Sequence, residues 1–193
     1  GTATHMERIP EYATILTVQM AKNPKLSGDI DQQYIDDIYQ SSILHDIGKV
    51  GTPDALLLKP GELTGKEFEI IKRHTLMGGN ALKAIESQIE GKSFLAMGKE
   101  IAYNHHEKWD GSGYPRGLKG EDIPLSARII AVADVYDALT TKRFYKKAYS
   151  HAKAKDMIIQ LKGKHFDPEM IDAFIAASML PWIILPMYLP VSV

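Results

Sequence analysis

The chain has 193 residues, a length that suits one medium-sized domain with its own hydrophobic core. Its 23 lysines and arginines nearly balance 24 aspartates and glutamates, which argues against a generally basic protein that coats DNA or RNA. The absence of cysteine excludes disulfides, thiolate zinc sites and cysteine nucleophiles, and leaves imidazole and carboxylate groups as metal ligands.

Neither end of the sequence resembles a membrane anchor. The N-terminal residues lack the apolar core of a signal peptide, and the apolar stretch 178–193 is short and interrupted by Pro181, Pro186 and Pro190. We therefore expect a cytoplasmic protein without a membrane span. We assign residues 1–180 to one domain and residues 181–193 to an apolar, proline-interrupted tail of unknown role.

The first predicted helix precedes the first histidine motif, and the second runs into it. One is expected around residues 7–22, and it should either begin near Glu7 or be kinked at Pro10, which cannot donate a backbone hydrogen bond. Apolar residues at helical spacing predict the second over residues 31–47, ended by Gly48.

The remaining elements also follow a helical pattern. Thr64 and Glu67 form a capping-box pattern at the start of the third helix. Four more helices are predicted from their opening residues, which are Ser93, Pro124, Ser150 and Asp167-Pro168. No alternating strand pattern is convincing. The sequence therefore predicts an all-α fold, a single helical bundle of about seven helices.

Histidines and acids are concentrated in two of these segments. LHDIGKVG contains His45 and Asp46, with Lys49 one turn beyond His45. AVADVYDALT contains Asp134 and Asp137, which lie three residues apart and so share a helix face. Because an unpaired charge is costly in an apolar helix, each of these carboxylates needs a cation, a metal ion or water.

Taken singly, these residues have ordinary explanations. A lone His74 is more often a surface or hydrogen-bonded histidine, and Asp134 alone is more often a cap or an ion-pair partner. Together, histidines and acids on four successive helices can point to one interior position of a bundle, as in known metal centres. The candidate ligands are His45, Asp46, His74, His105, His106 and Asp134. His151 and His165 lack such company, and we interpret them as surface residues.

Ligands that offer nitrogen and oxygen but no sulfur favour manganese, iron or zinc over calcium. Six or more candidates exceed what one open catalytic ion needs, so at least two ions are expected. Two ions about 3.5–4 Å apart can hold a bridging hydroxide and bind a phosphoryl oxygen, which is how such centres hydrolyse phosphoesters. Asp46 is the acid best placed to bridge them.

Three motifs in this order resemble the HD-GYP subgroup of the HD phosphohydrolase superfamily. They read LHDIGKVGTPDALLLKPGEL, HTLMGG and NHHEKWDGSGYPRGLKGEDIPLSARIIAVADVYDALT, and the resemblance runs from about His5 to Phe174. The paired motifs at this spacing are highly specific, whereas an isolated His-Asp pair is not. The resemblance implies a bacterial signalling phosphodiesterase that hydrolyses the second messenger cyclic di-GMP, through linear pGpG, to GMP.

The resemblance also implies roles for individual residues. The six candidates above match the family's metal ligands, with Asp46 as the bridge. Lys49 matches a lysine close to the reacting phosphate, and Asp137 is expected to support the ligands from behind. Residues that match the family's substrate-binding positions are Gly113, Tyr114, Pro115, Arg143 and Lys146. For Tyr114, simple loop packing is an equal alternative, and the run KRFYKK could instead be a solvated surface.

The sequence departs from the family at two places. Family members with three metals carry a glutamate where this chain has Gly1, which favours two ions and disfavours a third. His5 and Arg8 nevertheless keep the family's HxxR spacing, so His5 is expected close to the metals. Phe144 replaces a common proline, which puts the aim of Arg143 in question.

We therefore expect two divalent transition-metal ions, with iron or manganese favoured over zinc, nickel or cobalt. The expected partners are a cyclic dinucleotide substrate, an upstream sensor or receiver domain and a diguanylate cyclase, with a homodimer left open. DNA and RNA are not expected partners. The alternatives are a catalytically weak nucleotide-binding or protein-interaction module, a phosphodiesterase that prefers cyclic GMP-AMP, and a phosphohydrolase of mononucleotides.

Overall fold

The computed structural model describes residues 2–91, 93–142 and 147–179, which form helices and loops without a β-strand. The α-helices in chain order are α1 (Thr2–Met20), α2 (Gln32–Ser42), α3 (Asp54–Leu57), α4 (Gly65–Glu86), α5 (Phe94–Asn104), α6 (Leu125–Thr140), α7 (His151–Ile159) and α8 (Pro168–Ser178). Two 3-10 helices cover Ile47–Gly51 and Gly120–Asp122. The all-α prediction is confirmed, and the short α3 is the one helix that the sequence did not indicate.

The sequence predicts an apolar tail at the end of the chain and no membrane span. Residues 180–193 lie outside the described residues, so the division into a domain over 1–180 and a tail over 181–193 stays a prediction. Within the described ranges, no helix combines the length and the apolar character that crossing a membrane would require.

Most helices begin where their capping residues predict. The Asp31 side chain accepts a hydrogen bond from the backbone N–H of Tyr34 at 2.8 Å, and Thr64 and Glu67 form a complete capping box. Ser93, Ser150 and Asp167 each cap the helix that follows. These bonds satisfy backbone donors that lack a partner in the first helical turn. At α6 the prediction is off by one residue, because Pro124 precedes the helix instead of opening it.

One of the two alternatives for the first helix is excluded, and one predicted helix boundary is wrong. The first helix begins at Thr2 and runs through Pro10, so a start near Glu7 is excluded. The proline removes one backbone hydrogen bond, but Ile9 and Leu16 of the same helix are buried in the core, and this burial outweighs the loss. The helix predicted over 31–47 ends at Ser42, and its last predicted residues enter a turn and then a 3-10 helix.

Close packing explains why the chain leaves helical geometry there. The 3-10 helix lies so tightly against α4 that a Cβ atom built on Gly48 would stand 1.9 Å from the carbonyl oxygen of His74. Only glycine permits this approach. The contact brings the His45-Asp46 turn against the middle of α4, and such a long-range constraint cannot be read from local sequence periodicity.

Helix α6 lies at the centre of the core, in contact with α1, α5, α7 and α8. Its side chains are buried on nearly every side, including Ile129, Ile130 and Tyr136. The Tyr136 ring meets Tyr12 of α1 edge-on at a centroid distance of 5.0 Å and Phe174 of α8 at 5.6 Å. The core therefore fixes α1 against α6, the two helices that carry His5 and Asp134.

A buried ion pair joins α6 to the start of α8. The Arg128 guanidinium contacts the Asp167 carboxylate at 2.7 Å, and the Asp167 side chain is 4% exposed. The other carboxylate oxygen caps α8 by accepting from the Glu169 N–H at 2.8 Å. We expect Asp167→Ala to lower the free energy of unfolding by about 3–5 kcal/mol, because it leaves the Arg128 charge buried and unpaired. Urea denaturation measures the change.

Asp172→Ala is the matched control in the same helix. Asp172 pairs with Lys162, but the aspartate side chain is 63% exposed, so its loss should cost less than about 1 kcal/mol. Equal losses in the two variants would contradict the role assigned to the buried pair.

Candidate metal centre

The six ligands predicted from the sequence, and His5, which is predicted to lie close to the metals, come together in two clusters. The four-residue cluster contains Asp46, His74, His105 and His106. The three-residue cluster contains His5, His45 and Asp134. Within each cluster, ligand atoms from all members lie within 4.8 Å of one another, a spacing that could hold a metal ion. Every residue that the sequence marked as a ligand therefore belongs to one of the clusters.

Five parts of the chain contribute these side chains. His45 and Asp46 stand in the turn after α2, His74 lies in the middle of α4, and His105 and His106 follow α5 directly. Asp134 lies in α6, and His5 lies in the first turns of α1. Because the residues are far apart in sequence, the clusters exist only when the whole bundle is packed.

The carboxylate of Asp46 lies between the two clusters. One oxygen, Oδ2, is 3.4 Å from His45 Nε2, and the other, Oδ1, is 3.4 Å from His74 Nε2 and 3.8 Å from His105 Nε2. Lys49, one helical turn later, forms an ion pair with Oδ2. Asp46 thus contacts histidines of both clusters, which is the position that a bridging ligand requires.

Backbone hydrogen bonds orient three of the histidines. The Nδ1 atoms of His45, His74 and His105 lie 2.7, 2.6 and 3.0 Å from the carbonyl oxygens of Ser42, Ile71 and Ile101. Because a carbonyl oxygen only accepts, each Nδ1 must carry the proton, and each Nε2 then offers a lone pair. Fixing the ring and its tautomer in this way is typical of histidines that ligate metals.

Burial keeps most of these imidazoles neutral. It lowers the pKa of His74, moves that of His105 well below the ordinary value, and lowers that of His106 to about 3. Burial alone would also lower the pKa of His45, but the adjacent Asp46 carboxylate outweighs it and raises the pKa. A neutral imidazole is the form that binds a metal ion.

Two buried polar atoms of the site lack a protein partner. His45 Nε2 and Asp46 Oδ1 are both shielded from solvent and have no hydrogen-bond partner among the described residues. Leaving such atoms unpaired is costly unless a cation or water satisfies them. Together with a donor set of only nitrogen and oxygen, these atoms fit divalent transition-metal ions.

The side chain of Asp137 contacts the three-residue cluster through His5. Its Oδ2 lies 2.6 Å from His5 Nδ1, and its Oδ1 accepts from Arg8 Nε at 2.5 Å. His5 Nε2 is left facing Asp134 at 3.8 Å. Burial would raise the pKa of Asp137, but the hydrogen bonds from His5 and Arg8 outweigh it and lower the pKa. Arg8 also donates to Thr141 at 2.7 Å, so the HxxR motif ties α1 to the end of α6.

Residues 108–120, called here the 108–120 loop, border the four-residue cluster. The Tyr114 ring stacks on His106 with a centroid distance of 4.8 Å, and a cis peptide bond joins it to Pro115. A Cβ atom on Gly113 would stand 2.3 Å from the backbone nitrogen of Lys108. Close packing within the loop therefore explains why this position needs glycine. Contact between Gly113 and a substrate stays a prediction. Arg143 and Lys146 lie outside the described residues.

The sequence analysis missed one residue of the site, Glu107. Its carboxylate is 2% exposed and accepts hydrogen bonds from the backbone N–H groups of Arg116 at 2.7 Å and Leu118 at 3.0 Å. Glu107 directly follows His106, so these two hydrogen bonds tie the far side of the 108–120 loop to the cluster histidines. The signal was present in the motif HHE, whose glutamate received no role beside its two histidines.

The two histidines interpreted as surface residues are both partly buried. His165 stacks on Phe166 at 4.3 Å, burial lowers its pKa to about 4, and its carbonyl accepts from the Trp109 N–H at 3.0 Å. His151 Nδ1 lies 2.9 Å from the Tyr136 hydroxyl. The surface interpretation is wrong for both, although neither joins the clusters, because tertiary packing supplies partners that the sequence does not indicate.

Comparison with known proteins places these features in a wider group. A model of the HD domain family matches residues 3–170. A protein of Vibrio cholerae serotype O1 named cyclic di-GMP phosphodiesterase is 51% identical over 177 residues, covering 92% of this chain and 36% of that protein. Another protein of that organism, named 3'3'-cGAMP-specific phosphodiesterase 2, is 39% identical over 171 residues. The match covers 89% of this chain and 30% of that relative.

A solved structure shares the fold. The crystal structure of a cyclic GMP-AMP specific phosphodiesterase of V. cholerae superposes with a TM-score of 0.65 at 18% identity, covering 96% of this chain and 49% of the other. At this identity the likeness concerns the fold alone. The chain spans 36% and 30% of the length of the two relatives above.

Removing the carboxylate of Glu107 should loosen the 108–120 loop. In Glu107→Ala, the N–H groups of Arg116 and Leu118 lose their acceptors, so their hydrogen exchange should accelerate by about tenfold or more, the factor expected for a lost charge-assisted bond. Hydrogen exchange read by mass spectrometry or NMR gives the rates. Glu121→Ala, which alters an exposed glutamate just beyond the loop, should leave them unchanged. Unaltered exchange in Glu107→Ala would show that the loop is held by other contacts.

Proposed function

This chain belongs to the HD domain family, and we propose that it is a metal-dependent phosphodiesterase that hydrolyses the second messenger cyclic di-GMP to pGpG, GMP or both. The observation that carries the proposal is the position of Asp46, whose two carboxylate oxygens face histidines of two adjacent clusters. A binding or interaction module has no need of seven converging ligands. The family motifs and the relative named cyclic di-GMP phosphodiesterase support the substrate class.

The seven clustered side chains would hold two divalent transition-metal ions, with iron or manganese favoured over zinc, nickel or cobalt. When bound, the metal ions would lower the pKa of water and stabilise negative charge at a phosphoryl group. His74, His105 and His106 would present neutral nitrogens to one ion, and Asp46 would contact both. A third ion is disfavoured, because Gly1 offers no side-chain ligand.

Lys49 and the segments around the centre would bind the substrate. The Lys49 ammonium pairs with Asp46 at the edge of the site and is 39% exposed, so it is free to offset charge on the phosphate oxygens. Tyr114 and the loop residues Gly113 and Pro115 would border the nucleotide. Arg143 and Lys146 would bind the phosphates of the dinucleotide, a role that rests on the sequence resemblance alone.

A second candidate substrate is cyclic GMP-AMP. It is favoured by the relative at 39% identity whose name specifies 3'3'-cGAMP. Both substrates present two phosphodiester linkages to the same centre, so the metal ligands do not distinguish them. Side-by-side hydrolysis of the two dinucleotides by the purified protein separates the candidates.

The setting of the domain is also a proposal. We infer that a sensor or receiver domain controls it in the cytoplasm of a bacterium, a setting that rests on the sequence resemblance. A diguanylate cyclase would be its functional counterpart, and a homodimer remains an open alternative to a monomer.

Loss of the Asp46 carboxylate should remove both metal and activity. In Asp46→Ala, positive ions in neighbouring clusters lose the negative charge between them, so metal content should fall and turnover of cyclic di-GMP should drop by about a thousandfold or more. Metal analysis of anaerobically purified protein and a chromatographic time course of pGpG and GMP provide the two readings. Full metal content with wild-type turnover would remove Asp46 from the mechanism.

Arg143→Ala serves as the comparison variant. The guanidinium offers no metal-binding lone pair, so metal content should stay unchanged while the Michaelis constant rises by about 10- to 100-fold, as for a lost charge-assisted hydrogen bond. Loss of metal in Arg143→Ala, or an unaltered Michaelis constant, would contradict the role assigned to Arg143. The run KRFYKK would then be interpreted as a solvated surface.

A further inference from the structure

His106 differs from the other histidines of the two clusters in how its ring is held. His45, His74 and His105 each donate Nδ1–H to a backbone carbonyl, and His5 Nδ1 contacts the Asp137 carboxylate. The His106 side chain forms no hydrogen bond with any residue that the structure describes. Some other contact must therefore fix the plane of this imidazole.

Within the part of the chain that the structure describes, the His106 ring contacts three other rings. Those of the candidate ligands His105 and His74 lie at centroid distances of 4.1 and 5.1 Å, and the one that is not itself a candidate ligand is the Tyr114 ring. It stacks on the His106 ring with a centroid distance of 4.8 Å and an angle of 29° between the planes. The same two residues are also joined through the backbone, since the Tyr114 N–H donates to the His106 carbonyl at 3.2 Å. The tyrosine and the histidine are thus joined by a ring contact and a backbone hydrogen bond, although the 108–120 loop begins between them.

Helix α4 holds Tyr114 from the other direction. The Phe68 ring meets the Tyr114 ring edge-on at 6.0 Å, and the Lys72 ammonium lies 5.3 Å from the Tyr114 centroid and 5.0 Å from the Phe68 centroid. Glu69 fixes the ammonium with an ion pair at 2.7 Å. These contacts form an aromatic and cationic brace on the helix that also carries His74.

We propose that Tyr114 is a positioning residue for the metal centre, and that it acts by stacking on His106. The brace formed by Phe68 and Lys72 keeps the tyrosine ring in place. The inference rests on the proposed metal centre and assigns Tyr114 a task separate from substrate contact. Stacking here replaces the hydrogen bond that orients the other cluster histidines, and partners that orient a ligand typically change metal affinity by about 10- to 100-fold.

The two roles of Tyr114 predict different measurements. A tyrosine that only contacts the substrate would leave metal affinity unchanged when truncated, and the Michaelis constant alone would rise. If the tyrosine positions His106, its truncation would lower the affinity of the four-residue cluster for its ion. Because the contact uses the face of the ring, the hydroxyl should be dispensable for this task.

The test titrates metal-free protein with Mn²⁺ under anaerobic conditions, using calorimetry or competition with a chelator. Tyr114→Ala should weaken the binding of one ion by about tenfold and leave the other near its wild-type affinity. Tyr114→Phe should retain wild-type affinity for both ions. Phe68→Ala, at a residue that is 41% exposed, should produce a smaller loss at the same ion even if Tyr114→Ala fails to fold.

Two control variants separate the possible failures. Lys83→Ala alters an exposed lysine of α4 away from the brace and should bind both ions normally. Asp46→Ala should lose metal. If Asp46→Ala loses metal while Tyr114→Ala and Phe68→Ala bind both ions as tightly as the wild type, the positioning role is overturned and the metal centre stands. If Asp46→Ala binds both ions normally, the proposed metal centre fails, and the inference fails with it.

Discussion

The site depends on one constraint, the contact of the Asp46 carboxylate with its neighbour His45 and with histidines from two other parts of the chain. Its oxygens lie 3.4 Å from His45 Nε2 and from His74 Nε2, and 3.8 Å from His105 Nε2. The Asp46 side chain is only 25% exposed, and surrounding such an anion with neutral imidazoles is costly unless cations occupy the space between them. The folded bundle nevertheless keeps these groups together. The packing of Gly48 against α4 holds the His45-Asp46 turn beside His74. The geometry therefore favours a centre built for metal ions over one built for stability.

Local sequence predicted much of this structure because several determinants are themselves local. Caps such as Asp31 and the Thr64–Glu67 box satisfy backbone donors within one turn, so they marked the starts of helices correctly. The clustering of the candidate ligands followed from motif order, since members of one family place those motifs on the same helices. The end of α2 was missed because a contact with α4 decides it, and helical periodicity continues past Ser42.

Interactions that support the site were harder to anticipate than the ligands. The two partners of Glu107 are backbone N–H groups, which any residue could supply, so no pattern of side chains marks them. Gly113 was interpreted through a substrate, but its backbone approaches the chain itself near Lys108. The pairing of His5 with Asp137 joins residues at opposite ends of two long helices. Each of these contacts depends on the assembled bundle.

Anomalous diffraction from crystals grown anaerobically with Mn²⁺ tests the central claim most directly. The two-cluster geometry predicts two anomalous peaks, one against each cluster, with the Asp46 carboxylate in contact with both. Such a result would show that a single acid joins the two halves of the site. A single peak, or two peaks that the Asp46 carboxylate does not touch, would contradict the account.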